Sequence, residues 1–143
     1  MKKVLLVCST YYSDISASLR KQASLALDSS KIKHDYIEVP GIFEIPVIIS
    51  KNIKKYDGFL ALGCVIKGET PHFEFISKVT FEAIMKLSIN NKKPIGNGII
   101  TALNLDQAVE RQGPNDDGKE IKKGKGLEAA NAVISVLTNV KKR

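Results

Sequence analysis

The sequence predicts a three-layer α/β domain in which helices cover both faces of a four-stranded, mainly parallel sheet. Apolar runs of strand length alternate along the chain with segments of helical periodicity. Such alternation is typical of parallel strands joined by right-handed crossover helices. The first and third runs are continuously apolar, as in strands buried on both faces. We therefore expect a flavodoxin-like fold, with residues 1–143 forming a single domain.

Each element follows from its local pattern. The predicted strands cover residues 3–8, 34–39, 58–65 and 95–101, and Pro40-Gly41 ends the second. The predicted helices cover residues 13–27, 46–54, 72–90 and 105–111, with a last helix from about residue 125. Helical spacing assigns an inward-facing stripe to two of them. These stripes are Ile76, Val79, Ala83 and Leu87 in the third helix, and Leu127, Ala130, Ile134 and Leu137 in the last.

Most of the net positive charge lies in one part of the chain. Its 22 Lys and Arg against 15 Asp and Glu give +7, and seven of the basic residues lie from Lys119 onward. That tail has no aromatic residue and the chain has no Trp, whereas single-stranded nucleic-acid sites combine basic grooves with stacking aromatics. We expect no nucleic-acid partner, and a solvated face or a site for one small anion instead.

The cysteine content and the length of the apolar runs also indicate the cellular location of the protein and whether it holds a metal. Cys8 and Cys64 both lie in apolar runs and cannot form a disulfide framework, so they read as reduced, buried thiols of a cytoplasmic protein. The longest apolar run, residues 59–66, is far too short to cross a membrane. No Cys/His pair has metal-ligand spacing, so we expect no metal site and no membrane partner.

Unusual residues follow the carboxyl ends of three predicted strands. They are Tyr11 and Tyr12 after the first, residues 40–44 after the second and residues 67–72 after the third. Ligands of open α/β sheets bind beyond these strand ends. The chemistry of the chain is therefore expected at one edge of the sheet.

The turn at residues 68–72 favours an anion, because main-chain N–H groups and a helix dipole face outward there. A plain turn with Thr70 as N-cap is the alternative. His72 opens the helix, where the dipole disfavours a cation, so its neutral imidazole could accept and return protons. An exposed first-turn histidine is the alternative. His34 has no such context and is expected to be structural.

Four further side chains each allow two interpretations. Glu44 could bind polyol hydroxyls or cap the following helix, and Tyr11 could stack on a planar ring or cover the core. Arg111 and Lys125 bracket a polar segment and could bind an oxyanion; a solvated surface is the alternative for both. Cys64 fits a core residue better than a nucleophile.

Five segments together resemble the lumazine synthase family of riboflavin biosynthesis. They are VPGIFEIP (39–46), ALGCVIKGETPH (61–72), GIIT (98–101), QAVER (107–111) and KGLEAA (125–130). The resemblance implies condensation of 5-amino-6-(D-ribitylamino)uracil with 3,4-dihydroxy-2-butanone 4-phosphate. The product would be 6,7-dimethyl-8-ribityllumazine, with release of phosphate and water. It implies two small-molecule substrates and no cofactor or metal. A non-catalytic flavin- or lumazine-binding protein on the same fold is the alternative.

The resemblance also implies a role for each matching residue. Tyr11 would stack on the pyrimidine, and His72 would be the catalytic proton shuttle. The ribityl chain and pyrimidine would be held by Ile42, Phe43, Glu44 and the main chain of Cys64, Val65 and Ile66. The butanone phosphate would be bound by Glu69, Thr70 and Arg111, with help from Lys125.

Three features depart from the family pattern. Tyr12 stands where Asn is common. Asn97 stands where a neighbouring subunit often supplies Phe to the site, so the resemblance implies that Asn97 binds the substrate by an amide contact in place of stacking. The polar segment 113–124 is several residues longer than in members that form sixty-subunit shells. The resemblance implies homopentamers with active sites shared between subunits, and the longer segment predicts an isolated pentamer or at most a decamer.

Overall fold

The computed structural model describes residues 2–68, 72–113 and 123–139. Its four strands form one sheet in the order β2-β1-β3-β4, and every neighbouring pair is parallel. The strands are β1 (Lys3–Ser9), β2 (Lys33–Val39), β3 (Gly58–Ile66) and β4 (Ile95–Ala102). The helices are α1 (Ser13–Ser29), α2 (Ile45–Lys51), α3 (Phe73–Asn91), α4 (Leu105–Gln112) and α5 (Lys125–Thr138), and a 3-10 turn covers Ile42–Glu44. All four predicted strands are confirmed.

Helices cover both faces of the sheet, which confirms the three-layer prediction. Side chains of β1 alternate between the two faces: Leu6 and Cys8 join the core under α1, α4 and α5, and Leu5 and Val7 join the core under α2 and α3. All nine residues of β3 are buried, as its continuous apolar run predicts. Among the described residues, no helix has the length and apolarity needed to span a bilayer.

The strand order creates a crevice between β1 and β3. From β1 the chain moves outward to β2, and then crosses back to β3 on the other side of β1. The loops after β1 and β3 therefore leave in opposite directions, and ligands of open α/β sheets bind at such a switch point. The register of β1 with β3 ends at the pair Cys8 and Leu62, whereas the register of β3 with β4 continues to Ile66. The end of β3 thus projects beyond its β1 neighbour.

The predicted stripe of α3 is partly wrong. The buried residues are Ser77, Thr80 and Ile84, whereas Val79 is 38% exposed. Ile76 and Leu87 are half-buried and pack against the core. Apolar residues also occupy the outer side of α3, namely Phe75, Val79, Met85 and Ile89. Because apolar residues occur all round this helix, its periodicity could not select the buried face.

Two other predicted helices differ in detail. α2 ends at Lys51 rather than Lys54, because the Asn52 side-chain amide donates a hydrogen bond to the Ile48 carbonyl (Nδ2 to O, 2.8 Å) and the chain turns there. α5 is rotated from its predicted stripe: Gly126, Ala129, Ala130 and Val133 are buried, and Leu127, Ile134 and Leu137 are half-buried. Gly126 lies directly against the Leu19 carbonyl of α1, so this close approach requires a residue without Cβ.

Candidate active site

An apolar pocket of about 120 Å³ lies at the switch point between β1 and β3. Its wall comes from the loop after β1, the 3-10 turn, the end of β3 and the first turns of α3. The lining residues are Tyr11, Gly41, Ile42, Phe43, Cys64, Val65 and Ile76. Five of these residues were predicted as site residues from the sequence, and the fold brings them together.

Two aromatic side chains stand exposed at the mouth of the apolar pocket. Tyr11 is 62% and Phe43 is 61% exposed, so both present an aromatic surface to solvent beside the pocket. Tyr11 meets Tyr12 edge-to-face with ring centroids 4.9 Å apart, and Tyr12 packs against the core. The exposure of Tyr11 contradicts the alternative in which it covers the core.

Glu44 fixes the 3-10 turn that carries Ile42 and Phe43. Its Oε1 accepts a 2.9 Å hydrogen bond from the Gly41 main-chain N–H, and the Glu44 main-chain N–H donates to the Gly41 carbonyl at 3.2 Å. The alternative in which the Glu44 side chain caps the following helix is wrong, because Glu44 makes no side-chain cap to α2. The contact places the half-buried carboxylate beside the apolar pocket.

The end of β3 supplies the floor of the apolar pocket. Cys64, Val65 and Ile66 are buried, and this segment of β3 pairs with β4. Removal from water raises the pKa of the Cys64 thiol to about 11, so the thiol is neutral at physiological pH. Cys64 is therefore a packing residue, in line with its apolar sequence context, and not a poised nucleophile.

His72 lies one helical turn before the apolar pocket. It occupies the N-cap position of α3, its side chain is exposed, and its carbonyl accepts a 2.8 Å hydrogen bond from the N–H of Ile76. Because α3 begins at Phe73, the alternative in which Thr70 caps this helix is wrong. Glu69 and Thr70 themselves lie outside the described residues.

A second, polar depression lies along β4. This basic cleft of about 520 Å³ is lined by Ile99, Ile100, Thr101, Glu110, Arg111, Gly113, Lys123, Gly124, Lys125 and Glu128. Arg111 Nη1 donates to the Thr101 carbonyl at 2.8 Å. Lys125 Nζ lies 3.9 Å from Glu128 Oε1. Three basic and two acidic side chains line this cleft, so a small anion is its best-matched ligand.

Asn97 lies apart from the apolar pocket. It pairs with Ala61 in the β3–β4 register, three positions before the pair formed by Cys64 and Ile100, or about 10 Å at the rise of a parallel strand. Its Oδ1 accepts a 3.0 Å hydrogen bond from the Ile99 N–H. Because β4 is the last strand of the sheet, this contact satisfies a donor at an open edge.

Seven of the predicted residues therefore fall into two groups within one chain. Tyr11, Ile42, Phe43, Cys64 and Val65 line the apolar pocket, and Arg111 and Lys125 line the basic cleft. The two depressions share no lining residue. The sequence did not assign a site role to Ile76, Lys123 or the acidic residues of the cleft, whereas Gly41 lies in the predicted segment 40–44. Among the described residues, no three His, Cys, Asp or Glu side chains converge as a metal site.

Comparison with known proteins identifies the family. The sequence profile of 6,7-dimethyl-8-ribityllumazine synthase matches residues 1–141. The chain belongs to the 6,7-dimethyl-8-ribityllumazine synthase family. A protein of this name from Bartonella tribocorum is 42% identical over 143 residues, covering 98% of this chain and 90% of the relative. One from Agrobacterium fabrum is 38% identical, covering 97% and 95%.

The matched region contains the residues of both the apolar pocket and the basic cleft. A further relative, 6,7-dimethyl-8-ribityllumazine synthase 1 of Rhodopseudomonas palustris, is 39% identical over 99% of this chain and 86% of its own length. The resemblance drawn from five sequence segments is thereby confirmed over nearly the whole chain.

Proposed function

We propose that this protein is a 6,7-dimethyl-8-ribityllumazine synthase. It condenses 5-amino-6-(D-ribitylamino)uracil with 3,4-dihydroxy-2-butanone 4-phosphate in the penultimate step of riboflavin biosynthesis. The observation that carries the proposal is the family match over residues 1–141, which spans an aromatic-rimmed pocket and an arginine-anchored anion cleft. The binding-protein alternative is not favoured, since the relatives are named as synthases.

The pyrimidine occupies the apolar pocket in this proposal. Tyr11 stacks on its ring, since an exposed aromatic face beside a switch-point pocket suits a planar ligand. The main chain of Cys64, Val65 and Ile66 hydrogen-bonds the ring edge. This assignment is supported by the projection of β3 beyond its β1 neighbour, which leaves its ladder to β4 alone. Ile42, Phe43 and Glu44 hold the ribityl chain.

The butanone phosphate occupies the basic cleft. Arg111 is its main counter-charge, because a guanidinium presents a fork that matches phosphate oxygens. Lys125 adds a second positive charge at the start of α5. Glu69 and Thr70 belong to this proposal on the strength of the matching motif alone, since they lie outside the described residues.

The chemistry requires orientation and proton transfer. The 5-amino group adds to the ketone and water leaves, giving an imine. Phosphate is then eliminated, and the ribityl-bearing nitrogen closes the second ring with loss of another water. Each of these steps moves protons between nitrogen, carbon and oxygen, and His72 is the proposed shuttle. Arg111 binds the phosphate group of the substrate through its guanidinium fork.

Each active site is completed by a neighbouring subunit in a pentamer. The apolar pocket of one chain has about 120 Å³, less than the roughly 300 Å³ at which ligand-enclosing pockets begin. The basic cleft and Asn97 lie toward β4, the last strand of the sheet. A ring in which the β4 side of one subunit faces the pocket of the next would complete the site.

We further propose a cytoplasmic location for this single-domain chain, with no nucleic-acid partner.

An activity assay tests the proposal. The purified protein is given both substrates, and lumazine fluorescence is followed over the spontaneous reaction, with either substrate omitted and with heat-denatured protein as controls. We expect catalysed growth of the signal that requires both substrates. Growth no faster than the background, together with tight binding of the pyrimidine or of riboflavin, would overturn the synthase proposal in favour of a binding protein.

A further inference from the structure

Gln22 links three elements of the fold from the buried face of α1. It is 1% exposed, and its Nε2 donates to the Gln112 carbonyl at the end of α4, at 2.6 Å. Its Oε1 accepts from the main-chain N–H groups of Gly126 and Leu127 in the first turn of α5, at 3.1 and 3.2 Å. One amide side chain therefore bonds both ends of the segment that separates α4 from α5.

Glycines bring these chain segments into contact around Gln22. Gly113 has a φ of 85°, and a Cβ there would lie 2.7 Å from Gly124 Cα. Gly124 has a φ of 141°, and its Cβ would collide with the Gln22 amide and lie 2.7 Å from the Gln112 carbonyl oxygen. Both conformations favour glycine over residues with a side chain. The end of α4 and the start of α5 are thus held side by side, with the Gln22 amide between them.

Two of the three residues bonded to Gln22 are direct neighbours of the two proposed phosphate ligands. Arg111 precedes Gln112, and Lys125 precedes Gly126. Arg111 Nη1 bonds the Thr101 carbonyl, and the main chain that carries this side chain continues directly into Gln112, whose carbonyl Gln22 holds. The Oε1 contacts cap α5, whose first N–H groups have no partner within the helix.

We propose that Gln22 is a positioning residue for the phosphate half of the active site. It acts through the main chain by setting the separation of Arg111 and Lys125, and it does not touch substrate. This inference rests on the assignment of the basic cleft to the phosphate. The role needs a donor and an acceptor on one side chain of this length, which a primary amide supplies. Methionine has a similar length and provides neither an N–H donor nor a strong acceptor.

The test compares Gln22→Met with Leu27→Val in the full-length protein. Leu27 is also a fully buried α1 residue, so Leu27→Val controls for a general loss of core packing. Gln22→Asn, whose amide is one methylene shorter, serves as a second variant if the methionine protein fails to fold. Two readouts are taken: KM for each substrate separately, and the affinity for inorganic phosphate, measured by calorimetry without turnover.

We expect Gln22→Met to raise KM for the butanone phosphate and to weaken inorganic phosphate binding by roughly five- to fiftyfold, the range for modest misplacement of bound groups. KM for the pyrimidine and kcat should stay within about twofold of wild type, the scatter of an unperturbed site. Leu27→Val should lower the melting temperature without raising KM for one substrate more than for the other.

Equal changes in both KM values, or unchanged phosphate affinity in a folded Gln22 variant, would overturn the positioning role. The phosphate titration separates this outcome from failure of the enzyme proposal. If the wild-type protein lacks synthase activity but binds phosphate in a Gln22-dependent way, the enzyme proposal fails and the positioning role of Gln22 stands. A wild-type protein that does not bind phosphate at all loses the positioning role.

Discussion

The Arg111 side chain reaches back to the Thr101 carbonyl and donates a 2.8 Å hydrogen bond from Nη1. This contact satisfies an acceptor near the end of β4 and holds the guanidinium against the sheet at the wall of the basic cleft. An arginine has five N–H donors, so most of the fork is not used by this bond. The geometry therefore pre-orients Arg111 without consuming its capacity to bind an anion.

Arg111→Ala should mainly weaken the use of the phosphate substrate. We expect KM for the butanone phosphate to rise by roughly ten- to a hundredfold, since a hydrogen bond to a charged group is worth about 1.5–3 kcal/mol. Arg111→Lys keeps the charge but loses the fork, and should lie between alanine and wild type. Steady-state kinetics with each substrate varied in turn gives the comparison.

Arg20→Ala is the matched control, since Arg20 stacks on Tyr36 in a different part of the molecule, 4.0 Å from its ring centroid. It removes the same charge and should leave both KM values unchanged. A pyrimidine KM that rises as much as the phosphate KM in Arg111→Ala would contradict the assignment of this arginine to the phosphate.

His72→Ala should slow the chemical step while substrate binding survives. The expected loss in kcat is roughly ten- to a thousandfold, the scale of lost acid–base help when orientation is kept. His34→Gln is the control, because His34 Nε2 is engaged with Asp28 Oδ1 at 3.0 Å, near the start of β2, and this variant should retain the wild-type rate. An unchanged single-turnover rate in His72→Ala would remove this residue from the mechanism.

Mixing two impaired variants, assayed with butanone phosphate well below the KM of Arg111→Ala so that both are nearly inactive alone, tests whether active sites are shared between subunits. Subunits carrying His72→Ala and Arg111→Ala are unfolded together and refolded as a one-to-one mixture. In a ring of head-to-tail interfaces, about one site in four would combine an intact pocket half with an intact cleft half. We expect about a quarter of the wild-type activity to return. Sites built within single chains would give no more activity than the separate variants, and native mass spectrometry checks that the assembly is pentameric.

Strand positions and the location of the apolar pocket could be predicted from the sequence, because buried parallel strands leave continuous apolar runs and their carboxyl ends meet at one edge. The buried faces of α3 and α5 could not. Val79 is apolar yet exposed, and Ser77 and Thr80 are polar yet buried, since α3 is apolar all round. Gly126 turns a different side of α5 toward α1. Gln22 left one signal: it is a polar residue in register with the apolar stripe of Ile15, Leu19 and Ala23.

The separation of the apolar pocket from the basic cleft could not be predicted from the sequence either. Motif order brings Arg111 and Glu44 into one family pattern, but the distance between them depends on the sheet order. Asn97 illustrates the same limit. Its position in the chain suggested only a substitution in a ligand contact, whereas the structure gives it a bond to the Ile99 N–H at the edge of the sheet.

The buried thiols should make the fold sensitive to alkali. Burial raises the pKa of Cys8 to about 12 and of Cys64 to about 11, from a model-compound value of 9.0. The unfolded thiols ionise first, so their stabilising contribution is complete below pH 9 and is lost as pH rises toward 11 or 12. Each thiol should account for about 1 to 2 kcal/mol of lost unfolding free energy by pH 10.5.

Urea denaturation from pH 8 to 10.5 measures this effect, with the Cys8→Ala/Cys64→Ala protein as the comparison. Loss of packing in that variant lowers stability by the same amount at every pH, so the slope against pH carries the information. A slope equal to that of wild type would contradict the assignment to the thiols. Tyr56, whose pKa is raised to about 12 mainly by partial burial, is present in both proteins and cancels in the comparison.

Gly63→Ala should destabilise the protein through a single neighbour, Ser9. A Cβ at position 63 would collide with Ser9 Oγ, and its next contact, Ile42 Cγ2 at 3.1 Å, has more room to adjust. Overpacking of this kind costs about 1–3 kcal/mol. The Ser9 hydroxyl is fully buried and has no hydrogen-bond partner among the described residues, so Ser9→Ala alone should be neutral or slightly stabilising. Combining the two substitutions should recover most of the loss. Unfolding free energies of all four proteins complete the double-mutant cycle, and simple additivity would show that the glycine is required for a reason other than its contact with Ser9.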